Sequence, residues 1–187
     1  MPHLKIGLRI ESLRLPIRKA LRKAAELGVP GVQINAIGDL APDNLTATGR
    51  RDLLHLVNSL GLNLTSLGFP TRHGFSTADG LDARIAAVQK VLTLSYELRA
   101  PIVTGAIGRI PEDETHPARQ FLTAAMTEVG RHAERVGAVF AAETGTESGA
   151  TLRRFIDSLG GIGLRSNLDP ASLLVKGYDP IQAVRDL

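Results

Sequence analysis

One phrase recurs five times along this chain: an amphipathic helical stretch, a stop at or near glycine, then a short apolar run rich in β-branched residues. Ala25-Glu26-Leu27-Gly28 precedes Val32-Gln33-Ile34-Asn35, and Asn58-Ser59-Leu60-Gly61 precedes the run Leu62 to Leu67. Tyr96 to Ala100 precedes Pro101-Ile102-Val103-Thr104, Arg135-Val136-Gly137 precedes Ala138 to Ala142, and Ser158-Leu159-Gly160 precedes Ile162 to Leu168. The stops at Gly28, Gly61, Arg99, Gly137 and Gly160 lie 33, 38, 38 and 23 residues apart, the lengths of single strand-plus-helix units. An opening strand, Leu4 to Ile10, brings the expected strands to six, and Pro16 suits the first turn of the first helix. The helices are expected at 16–27, 46–60, 81–99, 117–136 and 148–159, with a sixth beginning near Pro180.

Strict alternation of this kind implies a mostly parallel sheet covered by helices, because parallel neighbours need crossover connections. Two α/β folds then compete, an open doubly wound sheet and a (β/α)8 barrel. The chain contains neither Gly-x-Gly-x-x-Gly after a strand nor a Gly-x-x-x-x-Gly-Lys-Ser/Thr loop, so the nucleotide-binding open sheets lose their best signal. Polar residues instead gather where strands end: Glu11, Asn35, His73, Glu143, Asn167 and Asp169. In barrels that rim is where active sites are built. A complete barrel takes about 250 residues and eight units, whereas 187 residues accommodate six. The expectation is therefore a single domain over residues 1–187, α/β, a TIM-type (β/α)8 barrel that is incomplete. Strands one and six should have exposed edges, and the natural gene should encode roughly 60–100 further residues, the length of two more units.

Composition narrows the chemistry. With 43% hydrophobic and 22% charged residues the chain is of the folded, not the disordered, class. No run approaches the roughly 18 apolar residues of a membrane span, and Met1 to Lys5 lacks a secretory core, so a cytoplasmic protein without a membrane partner is expected. Cysteine is absent, so a metal could be held only by Asp, Glu, His or neutral oxygens. The net charge of +3 does not imply nucleic acid. Arg14, Arg18, Lys19, Arg22 and Lys23, the one dense basic stretch, fit the solvated side of a helix whose other side is Ile17, Leu21, Ala24 and Ala25. Aromatics make up 4% and tryptophan is absent, so stacking platforms for single strands are scarce.

Glu143 closes the apolar run Val139-Phe140-Ala141-Ala142-Glu143 and must reach solvent or a partner, since an unpaired buried charge is very costly. Its ordinary role would be a solvated rim acid or part of a helix entry. Asp169 repeats the pattern one strand later, and before Pro170 it also reads as an N-cap. Taken together the two say more. Neighbouring strands are about 5 Å apart, so carboxylates at both ends repel unless a cation or proton lies between them. Oxygen ligands of this kind suit Mg2+ or Mn2+, and a histidine would add Zn2+ or Co2+.

Val139 to Glu143, Gly163 to Leu174 with Asn167-Leu168-Asp169-Pro170 at its centre, and Gly177-Tyr178-Asp179-Pro180 resemble the xylose isomerase-like TIM-barrel family of sugar and sugar-phosphate isomerases and epimerases. The resemblance extends to Arg72-His73-Gly74-Phe75 and the Leu81 to Ala100 helix. It implies a divalent metal held by Glu143 and Asp169, with Glu143 also the catalytic acid or base, and His73 and Asn167 as substrate contacts. The family's metal-binding His on strand seven and Glu on strand eight have no counterpart before Leu187. Where many members place a substrate-contacting His three residues after the metal Asp, this chain has Ser172. The other histidines, His3, His55, His116 and His132, read as structural or surface residues, and Glu147 as a partner behind Glu143 or a first-turn acid.

The activity implied is isomerisation or epimerisation of a small sugar or sugar-like hydroxy-ketone through a metal-bound enediolate, with a hydride shift equally compatible. Its partner would be a carbohydrate, with no nucleic acid, and homo-oligomerisation stays open. Two other readings compete with it. An endonuclease-IV-type metal-dependent phosphodiesterase would need more ligands than Asn35 and Thr104-Gly105 provide. A catalytically incomplete barrel fragment would bind metal weakly and show no turnover.

Overall fold

The computed structural model describes residues 5–71 and 73–187. Leu4, His3 and Arg72, which entered the sequence reading, lie outside the described residues. The strands are β1 (Gly7–Arg9), β2 (Gly31–Asn35), β3 (Asn63–Gly68), β4 (Ile102–Gly105), β5 (Val139–Glu143) and β6 (Leu164–Asn167). They form one sheet in the order β1-β2-β3-β4-β5-β6, and every neighbouring pair is parallel. Among the described residues β1 and β6 are each paired along one edge only, as expected of consecutive units of a barrel wall.

The helices that return the chain are α1 (Ile17–Glu26), α2 (Ala47–Ser59), α3 (Leu81–Glu97), α4 (Pro117–Val136), α5 (Gly149–Ser158), α6 (Pro170–Val175) and α7 (Pro180–Asp186). Their starts are fixed locally. Thr46 Oγ1 accepts from Gly49 N at 3.1 Å, His116 Nδ1 from Ala118 N at 3.1 Å, Ser148 Oγ from Thr151 N at 3.2 Å and Asp179 Oδ1 from Ile181 N at 2.8 Å, satisfying amides that have no partner within the helix. Each strand shows one face to the helices, where Val32, Ile34, Leu67, Val103, Phe140 and Leu164 are buried. The basic residues of α1 are exposed opposite buried Ala20, Leu21 and Ala24, which accounts for the local charge without a ligand.

The first strand, the sixth strand and one helix depart from the sequence reading. The opening strand is shorter, because at Ile10 the chain turns into a 3-10 segment, Ile10–Leu13, that carries Glu11. β6 begins at Leu164 because Gly163, at φ +57°, is left-handed and breaks the extended run from Ile162. The short helix α6 was not expected, and the helix foreseen near Pro180 is α7. Pro170 at the first turn and Asp169 as its N-cap start α6 just two residues after β6.

Candidate active site at the carboxyl rim of the sheet

Strand pleating decides what reaches the inner face. β-Register aligns Arg9 with Gln33, Asn35 with Gly68, Gly68 with Thr104, Thr104 with Ala141, and Glu143 with Asn167. These positions alternate with the buried apolar ones, so they share the face turned away from the helices. Gln33 Nε2 donates to Thr104 Oγ1 at 2.7 Å across β3. Such a span needs a small residue between, and Gly68 supplies it: a Cβ there would lie 2.1 Å from Asn35 Oδ1.

Above this row opens a cleft of about 190 Å3 whose lining includes Arg9, Asn35, Thr71, Thr104 and Glu143. A second, of about 320 Å3, is lined by Glu143, Thr144, Gly145, Ser172 and Lys176 among others. Glu143 and Ala106 border both, so the Glu143 carboxyl stands on the wall between two solvent-filled recesses. Burial pushes that carboxyl above its ordinary range; the charge of Arg9 opposes the rise and that of Asp169 adds to it.

Asp169 is in the opposite condition. Its Oδ2 accepts from Ser172 Oγ at 2.7 Å and its Oδ1 from Ser172 N at 3.0 Å. These two bonds hold its carboxyl below the usual range, with Arg9 contributing in the same direction. The N-cap and the rim carboxylate are therefore one and the same residue, and the two roles are not alternatives. Ser172, on the first turn of α6, orients Asp169.

A residue the sequence did not single out sets the distance between the two strand ends. Thr144, buried, donates its N–H to Asn167 O at 3.0 Å, and its Oγ1 accepts from Asp169 N at 2.8 Å. Arg9 was missed for a similar reason: in sequence it is one exposed arginine among many, and only the sheet carries it to the same cleft as Glu143. Asn167 is half-buried beside Glu143 in register.

Other sequence candidates are placed elsewhere. His73 is exposed in the loop after β3 and lines neither cleft. Thr71 Oγ1 donates to its carbonyl, and the following Gly74 lies against Gly108. Glu11 Oε1 accepts from Asn35 N at 2.6 Å, which anchors the turn after β1 to the end of β2. Glu147 is neither a partner of Glu143 nor in the first turn of α5. Its Oε1 accepts from Ile110 N at 3.0 Å, tying the loop after β4 to the loop after β5. His116 caps α4, and His132 lies in α4 with Thr93 Oγ1 3.0 Å from its Nε2 and Arg135 Nη2 2.8 Å from its Nδ1.

Can this rim hold a divalent cation? Among the described residues no three of His, Cys, Asp and Glu converge. The pair Glu143 and Asp169 nonetheless has the right character for part of an oxygen shell. One carboxyl has its ionised form disfavoured by burial and by its neighbour's charge, a condition that a cation would relieve. The other is ionised and oriented while keeping lone pairs free. The residues fit a metal as two of its ligands.

A parallel sheet of consecutive β/α units with polar groups collected at the carboxyl ends of its strands defines a TIM-barrel-type protein with a rim site. A family model described as xylose isomerase-like TIM barrel matches residues 21–186, and the chain belongs to that family. A xylose isomerase domain protein from Planctomyces limnophilus superposes with a TM-score of 0.80 at 23% identity, over 89% of this chain and 62% of that one. D-psicose 3-epimerase from Clostridium cellulolyticum H10, solved with D-tagatose, gives 0.79 at 18% identity, over 98% and 69%. The probable 3-DHS dehydratase AsbF of Bacillus anthracis, involved in petrobactin synthesis, gives 0.78 at 17%, again over 98% and 69%. No curated protein sequence matches the chain. The chain thus spans a little under two thirds of the Planctomyces structure and somewhat over two thirds of the other two. No helix among the described residues is long and apolar enough to cross a membrane.

Proposed function

We propose that the chain forms the larger part of a divalent-cation-dependent isomerase or epimerase of small sugars or sugar-like hydroxy-ketones, acting in the cytoplasm. The observation that carries this reading is the half-buried Glu143 carboxyl, displaced upward from its ordinary range, beside the ionised Asp169 at the ends of adjacent strands. Glu143 and Asp169 would hold the cation, as Mn2+, Mg2+, Co2+ or Zn2+. When bound, it supplies polarisation of a substrate carbonyl and charge neutralisation.

The remaining work falls to the chain. A carboxylate whose ionised form is disfavoured is a stronger base than one in water, which suits Glu143 to take the proton from the carbon beside a carbonyl. Asp169, held ionised by Ser172, keeps its charge through that step. Asn167 and Thr104 offer donors and acceptors to substrate hydroxyls, and Arg9 offers donors only. The cleft of about 190 Å3 admits a ligand of monosaccharide scale and excludes a polymer. Support for a ketose comes from the neighbours described as D-psicose, D-allulose and L-ribulose 3-epimerases.

The test is Mn2+ titration of the wild-type chain beside Glu143→Ala and Asp169→Ala, read by electron paramagnetic resonance. Each variant should bind at least about tenfold more weakly. Equal binding in all three removes both residues from the site. For the reaction, a ketose panel incubated with the natural gene product should give an epimer or aldose that Glu143→Gln abolishes.

A further inference from the structure

Away from the rim, the ring of helices has a gap. α3 packs closely along α4, but contact between α2 and α3 is sparse. Where α2, the end of α3 and the start of β3 meet there is a cleft of about 360 Å3, lined by Arg51, Leu54, Val57, Asn58, Asn63, Leu64, Leu98 and Arg99. Its floor is apolar: Val57 and Leu98 are buried, and Leu54 and Leu64 half-buried. Its walls are polar, with two exposed guanidiniums and two exposed carboxamides.

Among the described residues no carboxylate pairs with Arg51 or Arg99. Glu97, two residues before Arg99, is taken by Arg50 at 2.5 Å. Arg51 makes one long bond, from Nη2 to Thr48 Oγ1 at 3.3 Å.

The backbone at Arg99 points the same way. Helix stops in this chain take a left-handed residue, which is glycine at Gly28, Gly61, Gly137 and Gly160, with φ between +68° and +78°. At the end of α3 the same conformation is imposed on an arginine, at φ +56°. Glycine would serve the turn better. Arg14 takes the same conformation at φ +51° after the 3-10 segment without lining this cleft, so it is the place of Arg99 on the cleft, beside Arg51, that gives its side chain a task.

We infer that this cleft is a binding site for a small organic phosphomonoester: Arg51 and Arg99 take the phosphate dianion from two walls, and Leu54, Leu64 and Leu98 take the apolar body. Planar guanidiniums match phosphate oxygens in bidentate fashion, which lysine would not. Two cations on one cleft favour a dianion over a monoanion. Asn58 supplies a donor for the ester oxygen, whereas the Asn63 amide donates to Pro30 O at 3.3 Å. The site is separate from the rim and does not depend on the reaction assigned there.

Isothermal titration calorimetry with phenyl phosphate, benzoate and phenol tests this, with methyl NMR to locate binding. Phenyl phosphate should bind with Kd of about 1 mM or tighter, benzoate roughly tenfold more weakly, and phenol not measurably. The methyl resonances of Leu54, Leu64 and Leu98 should shift. Arg99→Gly and Arg51→Ala should each weaken phenyl phosphate by at least about tenfold. Arg99→Gly should do so with an unchanged or raised Tm, which separates lost binding from lost folding. Absence of binding in the wild type, equal binding of phenol and phenyl phosphate, shifts confined to residues at the rim, or unchanged affinity in both variants would each overturn the assignment.

Discussion

The amide of Asp169 donates to the hydroxyl of Thr144 at 2.8 Å, while the amide of Thr144 donates to the carbonyl of Asn167 at 3.0 Å. One buried threonine thereby clamps the chain leaving β5 to the chain leaving β6, and the carboxylates of Glu143 and Asp169 are spaced by that clamp. Thr144→Val keeps the shape but leaves the Asp169 N–H without its acceptor. The expected cost is about 1–3 kcal/mol, measured by urea denaturation. The same variant should weaken Mn2+ binding although it removes no ligand. Unchanged stability and unchanged Mn2+ affinity would show that the strand ends are positioned by other means.

Glu143 makes stability depend on pH in a defined direction. Its carboxyl is raised above the ordinary 4.5 by burial first and by the charge of Asp169 second, so the folded chain binds this proton more tightly than the unfolded chain does. The stabilisation is fully present below the unfolded value and is lost as pH rises through the folded one. Glu143→Gln abolishes that loss. At pH 4 or below variant and wild type should differ little, and at pH 7 the variant should be the more stable. Urea midpoints at the two pH values measure the difference, and a variant less stable at pH 7 would contradict the buried, disfavoured carboxylate.

Much of the architecture is legible in the sequence because its signals are local. Apolar periodicity, glycine at helix ends and proline at the first turns of α4 and α7 are properties of a few consecutive residues, and they place the helices within a residue or two. The end of β1 and the start of β6 were overextended, since apolar Ile10 and Ile162 continue the strand pattern while the backbone turns. The rim is legible by halves. Glu143 and Asp169 stand out because a charge ends an apolar run, whereas Thr144 and Arg9 are ordinary residues whose importance comes from partners far away in sequence. His73 shows the converse: a histidine between a strand and a glycine stands out in sequence, while the structure places it exposed and outside the lining of both clefts.

Ser172 should tune Asp169. The carboxyl of Asp169 is held below 3.8 chiefly by the Ser172 hydroxyl and next by the Ser172 amide, and Ser172→Ala removes the first while leaving the second. The Asp169 pKa should then rise toward its ordinary value, as followed by carbon-13 NMR of the side-chain carboxyl. Because a depressed carboxylate stabilises the fold above its unfolded pKa and loses that effect as pH falls through the folded one, the variant should be less stable than wild type at neutral pH. Once the pH has fallen below the depressed folded value, with the carboxyl protonated in both, the gap should close. An unshifted Asp169 would mean that the hydroxyl bond is not what holds it ionised.

The loop after β5 leaves no room for a side chain at Gly145. Its φ of +118° is one that L-residues rarely adopt, and a Cβ there would stand 2.3 Å from Ser172 Cβ and 3.1 Å from the Ser172 carbonyl carbon. The loop and α6 therefore touch backbone to backbone at the residue that orients Asp169. Gly145→Ala must strain its own backbone and push α6 outward, at a combined cost of about 2–5 kcal/mol. Displacing α6 also moves Ser172 from Asp169, so the variant should raise the Asp169 pKa as Ser172→Ala does, although it alters neither residue. Chemical denaturation and the same carboxyl titration measure both effects. A stable variant with an unshifted Asp169 would show that the loop can leave α6 without disturbing the rim.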